Sequence, residues 1–281
     1  MLEAIYSLLD ILPFACLEHN FMKNAFLAVI LVTPVFGLLS TMVVSNRMAF
    51  FSDSLGHGAF TGLAIGVMLG GISPFMSLIV FSILFSFLIT YIKRKSTVST
   101  DTVIGVFSST AIAFGLMLLS RGGSFNKFSS YLIGDVLSIA EEDLLMLFFI
   151  LIGVIIVWGI IFNKLLVLSV NPVFARSRGI SVLQIESIFA ALLAVIVAVS
   201  IQWVGLLIIN SLLVLPAAVA RNLSNNVKSY HLISIAGAML YGICGLVMAY
   251  YLDMAAGASI VSVAAICFFI SLLLRPYFVR G

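Results

Sequence analysis

Nine stretches of this chain, most of them long enough to cross a bilayer core, pass with almost no charge, and short polar breaks rich in basic residues separate them. That pattern leaves few folds open. With 63% hydrophobic and only 9% charged residues, against about 25% charged in ordinary soluble domains, the chain cannot fold in water without exposing most of its apolar surface. It reads as an integral membrane protein. The strand-like alternation of a membrane barrel is absent, so the spans are helices.

The expected spans are 24–45, 49–70, 74–92, 102–120, 143–162, 184–202, 203–220, 230–251 and 258–274. Only Gln202-Trp203-Val204-Gly205 parts the sixth from the seventh, which predicts either a tight hairpin or one broken helix. Asp10, Pro13 and Glu18 interrupt the apolar run 4–22, which predicts an interfacial or partly inserted helix over about 1–23. Lysine and arginine set the orientation. A cytoplasmic C-terminus puts Arg47, Lys93–Lys95, Lys164, Arg176, Arg178, Arg221, Lys228, Arg275 and Arg280 inside, and leaves Lys23, Arg121 and Lys127 outside. The segments 121–142 and 163–183 are too short for a core of their own, so residues 1–281 form a single transmembrane domain. No internal repeat or low-complexity segment stands out.

The second span carries the chemistry. Asp53 and His57 lie four residues apart, hence on one helix face. A carboxylate at membrane depth costs roughly 2.5–3.5 kcal/mol on insertion scales, so it needs a reason. Either the two side chains tie helices together, or they hold a divalent cation between them. One pair supplies too few ligands for a first shell; two copies of the chain around a two-fold axis would supply two imidazoles and two carboxylates. On an adjacent row Ser54, Gly58, Gly62, Gly66 and Gly70 recur every fourth residue, a small-residue ridge that lets another helix approach closely.

Elsewhere the residues point to structure or docking. Asn171 to Ile180, cytoplasmic and made basic by Arg176 and Arg178, reads as a short helix capped by Asn171 and stopped by Gly179. Leu215 to Lys228, with Pro216, Ala220, Arg221 and Lys228, leaves a span for a polar loop. Both segments fit docking elements for a cytoplasmic partner and equally fit positive-inside anchors. Asp101 and Glu186 suit first helical turns, Trp158 and Trp203 suit interface anchors or packing, and His19 and His231 sit near span ends. Cys16, Cys244 and Cys267 are scattered, with no C-x-x-C. There is no phosphate loop and no hydrolase signature, so ATP binding or hydrolysis by this chain is not expected. A net charge of +3 spread over loops makes no nucleic-acid surface.

Several segments in register resemble the zinc/manganese ABC transporter permease family. Asn46 to Ala59, containing Arg47, Asp53 and His57, is similar to its R-x-(S/A)-(F/L)-x-x-D-(A/S/T)-(L/I)-(S/G/A)-H-(A/S/G) signature. Asp101-Thr102-Val103-Ile104-Gly105, Tyr131 to Asp135, Phe174 to Ile180, and Val204 to Arg221 resemble four further family segments. The resemblance implies an all-α permease of eight to nine spans with a vitamin-B12/siderophore-importer-like fold, in the bacterial cytoplasmic (inner) membrane. It implies import of Zn²⁺ or Mn²⁺, with iron as a further cargo, driven by separate cytoplasmic ATPase subunits and fed by an extracytoplasmic metal-binding protein. The permease would pair with a second copy of itself and hold no permanent cofactor. Asp53 and His57 match the family's metal site, and the region 216–232 its coupling segment. The competing expectation is a proton-coupled secondary metal transporter. Such folds show inverted repeats, and none is visible here.

Overall fold

The computed structural model of the chain describes residues 6, 15–70, 73–121, 131 and 134–278. Among the described residues there is no strand. The helices are α1 (Asn20–Ser45), α2 (Ala49–Leu69), α3 (Pro74–Lys95), α4 (Thr100–Arg121), α5 (Glu141–Val170), the short α6 (Pro172–Ser177), α7 (Val182–Val204), α8 (Leu206–Leu223), α9 (Val227–Leu252) and α10 (Ala256–Phe278). Each long helix covers one expected span. The predicted interfacial helix over 1–23 falls mostly outside the described residues. Within that stretch Tyr6 donates a hydrogen bond to Asn24, and α1 already begins at Asn20.

Seven helices, α1, α3, α4, α5, α7, α9 and α10, are long and apolar enough to cross a membrane. The two remaining long helices, α2 and α8, are the ones the others enclose. α2, made polar by Asp53, His57 and its glycines, packs on α3, α4, α7 and α8. α8, at 18 residues, packs on α1, α2, α9 and α10. Polar side chains at this depth persist only where protein shields them from lipid.

The ridge on α2 faces α3, which runs antiparallel to it. A Cβ on Gly58 would overlap the Phe85 ring; one on Gly62 would lie 2.7 Å from Phe81 Cβ and 3.1 Å from Leu78 Cα; one on Gly66 would lie 2.6 Å from Ser77 Cβ. Close approach also lets Ser77 Oγ donate to Gly62 O at 2.8 Å. Gly70 does not belong to this contact. Its φ is +65° and no atom lies within 4 Å of where a Cβ would be. It caps α2 in the left-handed region, its N–H donating to Gly66 O at 3.3 Å.

Two further expectations change. The segment 163–183 is largely helical: α5 runs 30 residues to Val170. Asn171 then caps α6, accepting from Val173 N at 2.9 Å and Phe174 N at 3.1 Å, and Gly179 turns the chain with φ +74°. Glu186 lies beyond the first turn of α7, because the helix starts at Val182. There it meets Lys93 Nζ at 3.8 Å and Arg94 Nε at 3.9 Å. Of the two roles expected for Trp203, packing holds: it is 3% exposed, in the core.

The break expected between the sixth and seventh spans falls at Gly205, the single residue that joins α7 to α8. From it α7 runs toward α3 and α5, and α8 toward α1, α9 and α10, both keeping an edge on α2.

The ridge geometry predicts that Gly62→Leu, which must displace the backbone at Leu78, destabilises the bundle by at least the roughly 1–3 kcal/mol typical of overpacking. Thermal unfolding in detergent should show it. Gly159→Leu is the control, since no atom lies within 4 Å of a Cβ there; equal losses in both variants would refute the packing argument.

Candidate functional site

Asp53 and His57 sit in the first half of α2, on the side that α3 leaves uncovered. His57 Nε2 lies 3.7 Å from Asp53 Oδ2, with the imidazole side chain 17% and the carboxylate side chain 40% exposed. That separation is too long for a hydrogen bond. It is close to the roughly 3.4 Å expected between two donors about 2.1 Å from one tetrahedral ion. His57 Nδ1 is buried and has no hydrogen-bond partner. The ring is therefore held by packing and leaves both nitrogens uncommitted.

The backbone beneath the pair is held firmly. Thr61 Oγ1 is shared between His57 O at 3.1 Å and Ala111 O of α4. A Cβ on Gly115 of α4 would lie 3.1 Å from Phe60 Cδ1 and 3.3 Å from Thr61 Cα. On the other flank Leu206, the first residue of α8, lies against Gly56, with its Cγ 3.5 Å from where a Cβ would be. One turn below, Ser52 Oγ and Asn210 Oδ1 of α8 are 3.0 Å apart. Sequence reading overlooked Asn210, although a lone amide within Leu206–Leu215 was the signal that could have found it. Ser54, 0% exposed, also keeps a buried Oγ without a partner.

The start of α8 is fixed in turn. Gly205 holds φ +86° and ψ 149°, a region essentially restricted to glycine. Gly134, with φ +78°, presses on it so closely that a Cβ would overlap Gly205 N and the Val204 carbonyl. Gly134 thereby bears directly on the start of the helix that touches Gly56. Neither glycine was assigned a role from sequence.

One chain does not complete a metal shell. Among the described residues no group of three or more His, Cys, Asp or Glu side chains comes together. Asp53 and His57 stand as an open half-site.

At the opposite, basic end the expected docking residues divide. Pro216 is buried and Ala220 is 0% exposed, so neither can touch a partner directly; both are packing residues of α8. Arg221 and Lys228 are exposed. Arg221 lines a cleft of about 330 Å³ with Ser45, Ser224, Asn225, Asn226, Val227 and Tyr230. Arg176 and Arg178 are exposed on and just after α6, and Arg178 lies over the Phe174 ring at 5.1 Å.

The model of the ABC 3 transport family matches residues 18–275, nearly the whole chain. The chain belongs to that family. Its similarity to named members is spread along the full length. The manganese import system permease protein ScaB of Streptococcus parasanguinis is 32% identical over 92% of this chain and 92% of its own. The high-affinity zinc uptake system membrane protein ZnuB of Haemophilus influenzae is 32% identical over 89% and 96%. Among solved structures, PsaBC from Streptococcus pneumoniae in complex with Fab superposes with a TM-score of 0.82 at 29% identity, covering 95% of both chains. An inward-facing metal-chelate type ABC transporter shares the fold, with a TM-score of 0.71 at 14% identity. The chain is thus a multi-pass ABC permease of the bacterial cytoplasmic membrane.

The contact between the two glycines yields a test. Gly134→Ala must both strain a left-handed residue and open the joint to Gly205, at a cost of roughly 1–3 kcal/mol for the backbone strain alone. A lowered melting temperature in detergent is the expected result; an unchanged one would show that the outer segment is not seated there.

Proposed function

We propose that the chain is the membrane subunit of an ATP-driven importer of a divalent transition-metal ion, zinc or manganese, acting as a homodimer. The observation that carries this reading is the Asp53–His57 half-site. Its donors are spaced for one ion, its carboxylate is open to one side, and no third ligand lies near among the described residues. A second copy around a two-fold axis supplies the missing pair, giving two imidazoles and two carboxylates. Oxygen and imidazole donors suit Zn²⁺ or Mn²⁺, and a set without thiolates does not favour Cu⁺. Permeases named for manganese and for zinc import share the family and nearly the whole length of the chain. The proton-coupled alternative gains nothing from that kinship.

A site on a transport path must bind weakly enough to release its ion. Two ligands per chain, placed at a subunit boundary, meet that need: separation of the two halves dismantles the shell. Separate cytoplasmic ATPases would drive the change by binding one arrangement of the permease pair better than the other. An extracytoplasmic metal-binding protein would deliver the ion to the outer face. Docking of the ATPase is assigned to the α8–α9 turn, where Arg221 and Lys228 stand exposed beside the cleft at Tyr230. Helix α8 joins this turn to the contact with Gly56, one residue from His57.

Asp53→Asn and His57→Ala should each abolish uptake of radiolabelled zinc or manganese into cells while leaving membrane insertion and dimer recovery unchanged. Wild-type uptake in the double variant would remove the assignment. Arg221→Glu should reduce the ATPase that co-purifies with the permease; full recovery of the complex would move docking to the α6 turn.

A further inference from the structure

At the basic end, a cleft of about 600 Å³ opens between the end of α3 and the turn from α6 into α7, lined by Arg94, Arg176, Gly179, Ser181 and Leu183. Its charge is unbalanced. Lys93 and Arg94 share one carboxylate, Glu186, and Arg176 makes no ion pair with any described residue. Large apolar side chains stand exposed at the end of α5 and on α6, which also carries Arg176: Val170 is 81%, Val173 72% and Phe174 48% exposed. Soluble protein would hide such residues, whereas the membrane interface accommodates them.

A second cavity lies deeper along the same two helices, α3 and α7. A groove of about 470 Å³ runs between α3, α5 and α7, lined by Phe87, Gly153, Val157, Ile188, Ala191 and Val195 among others. Phe87 lies two turns from Arg94 on α3, and Ile188 five residues beyond Leu183 on α7, so the groove begins roughly 10 Å deeper in the membrane than the cleft. Its width comes from Gly153 and Ala191; no atom lies within 4 Å of a Cβ on Gly153.

We propose that cleft and groove together form a binding site for one anionic phospholipid, its phosphate headgroup held by Arg94 and Arg176 and an acyl chain laid along the α3–α5–α7 seam. Basic pockets between membrane helices on the cytoplasmic side are suited to such headgroups, and arginine matches phosphate in geometry as well as charge. An acidic protein loop would fill the cleft alone and leave the groove without an occupant. A lipid fills both. The positive-inside rule places the site in the cytoplasmic leaflet.

The test uses the full-length permease with its co-purifying subunits, incorporated into vesicles of phosphatidylcholine mixed with phosphatidylglycerol, then extracted into detergent for mass spectrometry of the retained lipid. The wild type should retain phosphatidylglycerol in excess over its share in the vesicle. Arg94→Gln with Arg176→Gln should lower that enrichment roughly ten- to thirty-fold. Gly153→Leu, which has room for its side chain, should reduce retention of either lipid by occupying the groove. Equal enrichment in the double arginine variant would overturn the proposal. So would arginine-dependent binding of inorganic phosphate by the detergent-purified wild type without phosphatidylglycerol enrichment, which would make the cleft a free-anion site. Loss of the ATPase from Arg176→Gln with lipid retention unchanged would assign the cleft to a protein partner instead.

Discussion

The architecture depends on keeping one ionisable pair out of lipid while leaving it reachable. An ionisable side chain facing hydrocarbon costs several kcal/mol, so the helix that carries Asp53 and His57 must be wrapped by others. Wrapping requires close approach, and close approach in a bilayer rests on packing rather than on apolar burial. The glycines of α2 meet that requirement on one side: α3 comes so near that Phe85 and Ser77 occupy the space of absent side chains. On the remaining sides α4, α7 and α8 close in. What stays uncovered is the edge with the carboxylate, 40% exposed. The packing that isolates the pair therefore also directs it.

Much of this was legible in the residues. Hydropathy located every long helix, because each span must satisfy its backbone within itself and so appears as one apolar run. The fourfold spacing of Gly58, Gly62 and Gly66 marked a close helix contact, since a helix repeats its face every three to four residues. It could not mark where that contact ends. Gly70 continues the spacing yet serves to stop the helix, a matter of backbone angle that residue type alone leaves open between packing and capping.

Other features depended on tertiary partners. Glu186 resembled a first-turn acid until the start of α7 was fixed at Val182, which leaves it to Lys93 and Arg94. Pro216 and Ala220 lie in a segment that leads to basic residues, but burial is set by α1, α9 and α10, and their proximity to Arg221 in sequence says nothing about which face they occupy. Asn210 escaped notice because a single amide in an apolar run acquires meaning only when Ser52 is found opposite. The Asp53–His57 pair was visible as a pair with too few ligands for a shell; that no third His, Cys, Asp or Glu joins it among the described residues required the rest of the fold.

Gly134 and Gly205 meet backbone to backbone, with no side chain between them to compress or rotate. A joint of that kind has no slack. Whatever moves Gly134 must disturb the head of α8, and 18 residues of helix span about 27 Å. The Gly134 contact therefore sits at one end of α8 and the exposed Arg221 near the other, with Pro216 interrupting the helical hydrogen bonds between them.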